Sequence, residues 1–187
     1  MTFTVNNSPF YGREGKFVTS RQLRDRLFKE LEHNVALRVQ ETASPDAYRV
    51  SGRGILHLSI LIENMRREGY ELQIREPKVI YKTIDGKKAE PIEVMVVDVP
   101  AEFAGKVIEL VGQRRGEMMK MENKGSMNKI EFHIPSRGIM GLRTKVLTAT
   151  QGEAIMHHRF YQYEFFKGSI GTTKNGVIIS MEEGQST

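Results

Sequence analysis

The chain has 187 residues, 39% of them hydrophobic, and 28 Lys and Arg against 23 Asp and Glu give a formal net charge of +5. That length accommodates one or two globular domains, and the basic balance fits a polyanionic partner such as RNA. Cysteine is absent, which excludes disulfides, a thiolate zinc site and a cysteine nucleophile and suits the cytoplasm, while no apolar run nears the roughly 20 residues that span a bilayer, so no membrane role is expected.

Met1 to Val5 alternates like a strand, and residues 6–16, with Pro9, Gly12 and Gly15, read as a loop. Thr19 followed by Gln22 is a capping-box pattern, and the helix it starts places Leu23, Leu27 and Leu31 on one face. Val35 to Gln40 and Tyr48 to Val50 predict two strands joined at Ala43-Ser44-Pro45-Asp46. From Ser51 a second helix turns Leu58, Ile62 and Met65 inward until Gly69 stops it, and Tyr70 to Ile74 is the closing strand. Strand, helix, strand, strand, helix, strand is the split βαβ sandwich, here a first domain over residues 1–76.

Pro77 opens a connector with a hairpin turn at Asp85-Gly86. The same order then recurs: a strand at Ile92 to Val99, a helix from Ala101 to Arg115 closed by Gly116, and a strand at Glu117 to Met121. A turn at Asn123-Lys124-Gly125 leads to a strand at Ile130 to Ile134, a helix capped by Ser136 and stopped by Gly152, and a strand at Ala154 to Phe160. Arg53, Gly54, Ile55 and Leu58 align with Arg137, Gly138, Ile139 and Leu142 at one constant offset. One unit is used twice, and the expected class is α+β, with a second domain over residues 77–160. The aromatic-rich residues 161–187 are expected to begin a third, β-rich domain that the chain cuts short.

Gly12-Arg13-Glu14-Gly15-Lys16-Phe17 fails as a phosphate loop, because its glycines are too close and Phe17 offers no hydroxyl for magnesium. The five histidines form no metal-ligand pattern, and His57, near a helix start, reads as a packing or hydrogen-bonding residue. Basic residues are more informative. Arg114 and Arg115 at a helix end, Lys124 and Lys129 around a hairpin, and Arg137, Arg143 and Lys145 on the last helix make one candidate phosphate-binding patch, provided both helices share a face. Gly52, Arg53 and Gly54, and likewise Ser136, Gly138 and Gly141, mark the turns into the two second helices. At the later turn two readings stand, an anion held at a helix start beside Ser136 and Arg137, or glycines that only allow tight packing.

Asn6-Asn7-Ser8-Pro9-Phe10, Gly15-Lys16-Phe17-Val18-Thr19-Ser20-Arg21, Val50-Ser51-Gly52-Arg53-Gly54, Glu63-Asn64-Met65-Arg66-Arg67-Glu68-Gly69 and Pro135-Ser136-Arg137-Gly138 together resemble the C-terminal half of the BipA (TypA) family, translational GTPases of the elongation factor G class. The likeness covers nearly the whole chain. It implies two ferredoxin-like domains, the third and fifth of that class, followed by the start of the family's own C-terminal domain. It also implies that GTP and magnesium belong to an N-terminal domain absent here, so that this chain is not itself an enzyme and carries no cofactor. The implied partners are the family's own GTPase domain and the ribosome, met at large-subunit RNA near the stalk base, with Lys167 and Lys174 turned towards acceptor-site transfer RNA. The implied setting is translation and stress regulation in the cytoplasm. Ile55 departs from the family, which usually has glutamate there. A competing reading is a tandem pair of ferredoxin-like modules binding a small metabolite.

Overall fold

A capping box starts α1 (Ser20–Glu30): the Thr19 hydroxyl accepts from the Gln22 N–H while the Gln22 side chain accepts from the Thr19 N–H. Its Leu23 and Leu27 pack with Leu58, Leu61 and Met65 of α2 (Ile55–Arg67) over Phe3, Tyr48 and Val50. Those last three come from an antiparallel sheet of β1 (Thr2–Val5), β2 (Arg38–Glu41), β3 (Ala47–Ser51) and β4 (Leu72–Ile74) in the order β2-β3-β1-β4. The structure, a computed structural model, describes residues 1–171. Its two units divide between Lys78 and Val79.

The first hairpin is shorter than the sequence predicts. After α1 the chain continues through turns in which the His33 and Asn34 N–H groups both reach the Glu30 carbonyl and the Leu37 N–H reaches Asn34. Val35 is consequently fully exposed, Leu37 alone enters the core, and β2 begins at Arg38.

In the second unit, Asp85 and Gly86 both take positive φ, 50° and 72°, as a two-residue hairpin turn requires. They join β5 (Lys82–Ile84) to β6 (Lys87–Pro100), which is far longer than its expected Ile92 to Val99. β6 pairs with β8 (Met127–Pro135) from Ile92 to Pro100 and with β9 (Ile155–Phe165) from Ala89 to Asp98. β8 in turn pairs with β7 (Glu117–Lys124), so the four main strands run β9-β6-β8-β7, the first, second, third and fourth strands falling in the same spatial order as in the first unit.

Beneath this sheet, Val107 and Val111 of α3 (Ala104–Gly112) and Leu142 and Val146 of α5 (Leu142–Ala149) enclose Met95, Val97, Ile130, Phe132 and Ile134. The antiparallel sheets with two helical segments on one face make both units ferredoxin-like, of α+β class. Leu58 and Leu142, aligned by the internal offset, are both buried.

Three expectations need correction. The helix beginning at Ser136 is not continuous, because α4 (Ser136–Ile139) is a single turn and the chain breaks at Met140 (ψ 117°) and Gly141 (φ 69°) before α5. Ser136 is its first helical residue rather than its cap; Pro135 flanks it and no side chain caps it. The helix expected from Ala101 opens as a 3-10 turn, Ala101–Phe103, and ends at Gly112, with Arg115 rather than Gly116 in the left-handed region. Lastly, the break expected between residues 160 and 161 falls inside β9, since β6 offers partners as far as Ala89, opposite Phe165.

Candidate nucleic-acid interface

β5 and β8 lie along the same edge of β6, because β9 occupies the other edge. Glu90 and Pro91 fall in the gap between them. Into that gap Arg137, two residues past β8, brings its guanidinium, gripping both carboxylate oxygens of Glu90. Glu90 is fully buried and Arg137 is 14% exposed. Removing two charges from water is costly unless every lone pair and proton finds a partner, and here the remaining partners come from the segment after β9. The Lys167 N–H donates to Glu90 (2.8 Å), Arg137 donates to the Gly168 carbonyl, and the Arg137 guanidinium lies 4.6 Å from the centre of the Phe166 ring. The hydrogen bond that Arg137 donates to Glu90 holds its guanidinium above the ordinary pKa in spite of burial.

The same segment is fastened on its other side. Arg115 donates to the Ser169 carbonyl (3.2 Å), and the Lys167 ammonium sits 3.0 Å from Glu117 and 3.2 Å from Glu164. Burial lowers the Lys167 pKa, but the two carboxylates more than reverse that and raise it. Residues 166–169 are thus strapped to the second unit by Arg115, Arg137, Glu90 and Lys167.

Arg114 is engaged elsewhere. Its guanidinium donates to the carbonyls of Gly138 (2.9 Å) and Met140 (2.6 Å), satisfying the end of α4, and burial pushes its pKa down. The clasp is reciprocal, because a Cβ at Gly138 would meet the Arg114 carbonyl oxygen at 2.8 Å. Of the two readings of this turn, tight packing describes the glycine, and a one-turn helix supplies little dipole for an anion.

Arg143 and Lys145 remain outward on α5, exposed and without an ion pair among the described residues. Lys106 on α3, beside α5 on the same face of the sheet, is likewise exposed; its place in an apolar helical stretch was the available signal, and sequence reading passed over it. Lys129 alternates with the buried Asn128 and Ile130 and so lies on the opposite face, across from Glu122 and Asp98. Lys124 is exposed beside the β7–β8 turn. The seven-residue patch expected from the sequence is therefore split among these places. Lys174 lies outside the described residues.

In the first unit the Arg53 N–H donates to His57 Nδ1 (3.2 Å), and His57 Nε2 lies against the Asn34 side-chain amide, 2.9 Å from Nδ2 and 3.1 Å from Oδ1. A Cβ on Gly52 would lie 2.8 Å from that Nδ1, and Gly54 flanks the start of α2 in extended backbone. Arg53 itself is exposed. Ile55 leaves the first turn of α2 without an acidic residue. A cleft lined by Glu14, Gly15, Glu63, Arg66, Arg67 and Tyr70 carries the Glu63–Arg67 pair (2.9 Å), one turn apart on α2, in its lining. Among the described residues no three His, Asp or Glu side chains gather as a metal site, and no helix is long and apolar enough to cross a membrane.

Sheet order and helices define ferredoxin-like domains, and residues 87–174 match the family described as Elongation factor G C-terminus. Over its whole length the chain is 53% identical to the "Large ribosomal subunit assembly factor BipA" of Synechocystis and of Bacillus subtilis, and 54% identical to that of Haemophilus influenzae. The chain is thus a BipA-type segment, corresponding to the C-terminal part of such a factor. It spans about a third of these relatives, 32%, 31% and 30% of their lengths. A crystal structure of a Thermus thermophilus protein matches 89% of this chain and 41% of its own at TM-score 0.52 and 14% identity, a likeness of fold.

Proposed function

We propose that this chain is the ribosome-docking portion of a BipA-type translational GTPase, with nucleotide and magnesium bound by a separate domain and no catalysis in these residues. Its full-length likeness to large-subunit assembly factors carries the reading. The outward cations on the helical face of the second unit, Lys106, Arg143 and Lys145, are the phosphate contacts to large-subunit RNA near the stalk base. Arg114, Arg115, Arg137 and Lys167 act behind them: they hold the α4 turn and the strap, and so set the direction in which the chain leaves towards acceptor-site transfer RNA. The resemblance to BipA extends this reading to work in translation and stress response.

Pelleting this chain with purified large and small ribosomal subunits tests it. Saturable binding to the large subunit is expected, and equal retention by both subunits would contradict it.

A further inference from the structure

β9 has no strand on its outer edge among the described residues, and one face of it carries a row of rings. Tyr163 and Phe165 point to the same side by strand alternation. The irregular pairing beside Ile92 and Glu93 brings Phe160 into line with them, its ring 5.8 Å from that of Tyr163. Phe160 is 56% and Phe165 52% exposed, a large apolar surface for a strand edge. Two lysines of the β5–β6 hairpin lie over the row, Lys82 4.2 Å from the centre of Tyr163 and Lys87 5.6 Å from that of Phe165. The carboxylates nearby are largely engaged: Glu93 contacts His158, Glu164 alternates to the other face and meets Lys167, and Asp85 sits at the hairpin tip.

We propose that the Phe160–Tyr163–Phe165 row is a stacking surface for the unpaired bases of a single-stranded RNA, with Lys82 and Lys87 moving from the rings to its phosphates. Rings spaced along a strand and interleaved with flexible cations suit successive bases on a phosphate backbone, whereas a duplex keeps its base faces hidden. An exposed ammonium held only by a ring face is readily given up to a phosphate. By register these rings share the sheet face that α3 and α5 cover, further along β6, and involve none of Lys106, Arg143 and Lys145, although the choice of RNA rests on the ribosomal reading above.

The test is anisotropy of a labelled RNA strand of about ten nucleotides, and of the same sequence as duplex, over a salt series. The single strand should bind more tightly than the duplex. Phe160→Ala with Phe165→Ala should weaken it about tenfold or more, leaving the salt slope in place. Lys82→Gln with Lys87→Gln should flatten the log–log slope by roughly 1.4, at about 0.7 for each phosphate no longer neutralised. Equal affinity for strand and duplex overturns the proposal, as does unchanged affinity in an aromatic variant that melts like the parent. If that variant is unstable the lysine pair decides, an unchanged slope being fatal. Absence of RNA binding also overturns it and leaves this edge to a protein strand. Loss of large-subunit pelleting with strand binding intact would sink the ribosomal reading alone.

Discussion

Gly138 and Gly141 separate two reasons for a glycine. Gly138 is needed for close approach, so Gly138→Ala forces the Arg114 carbonyl away from 2.8 Å and should destabilise the fold by about 1–3 kcal/mol. Gly141 faces open space but has φ 69°, so Gly141→Ala should cost only about 1 kcal/mol, from backbone strain. Equal losses in thermal unfolding would refute that separation. Both glycines were visible in the sequence, and so was an arginine between strand and helix. Its partner was not, because Glu90 lies 47 residues away in a stretch that reads as a connector. Arg137→Ala leaves that buried carboxylate unpaired and should destabilise by about 3–5 kcal/mol, with Glu90→Gln in the same chain restoring part of the loss. Additive losses would show that the two side chains do not act as a pair.

At the scale of elements, periodicity and caps located both helices of the first unit and every main strand, since those patterns are local. Boundaries set by pairing were less legible. β6 extends because β5 and β9 are available to it, and β2 shortens because turn hydrogen bonds hold the chain from His33 to Leu37. The loop over residues 6–16 was read only as a loop, yet the Glu71 carboxylate organises it, accepting from the N–H groups of Gly12 (2.9 Å), Glu14 (3.2 Å) and Gly15 (3.1 Å) and from Asn6 (2.6 Å). The Gly12 N–H above all, then Asn6, holds the Glu71 pKa below its ordinary value. A carboxyl depressed in the folded state contributes stability that is full above its unfolded pKa and is lost as pH falls through the folded one. The backbone amides of Gly12, Glu14 and Gly15 should therefore shift together in an NMR titration at a pH below the ordinary glutamate value. Titration of all three at or above the ordinary glutamate value would contradict the anchoring.

For the whole molecule, the internal repeat was the most informative feature of the sequence, because buried positions such as Leu58 and Leu142 must recur wherever one unit is built twice. The basic patch was less legible. Arg114, Arg115, Arg137 and Lys167 look like surface cations in sequence, but in three dimensions each serves a carbonyl or carboxylate of the same unit. Burial and long-range pairing decide which arginines remain for a partner, and composition does not report them. Binding of large ribosomal subunits across a salt series, for the parent chain and for Arg143→Ala with Lys145→Ala, tests the central claim most directly. The account predicts weaker binding by the double variant, with unchanged thermal unfolding and a log–log salt slope shallower by about 1–2. An identical slope and affinity would contradict it and remove the helical face from the interface.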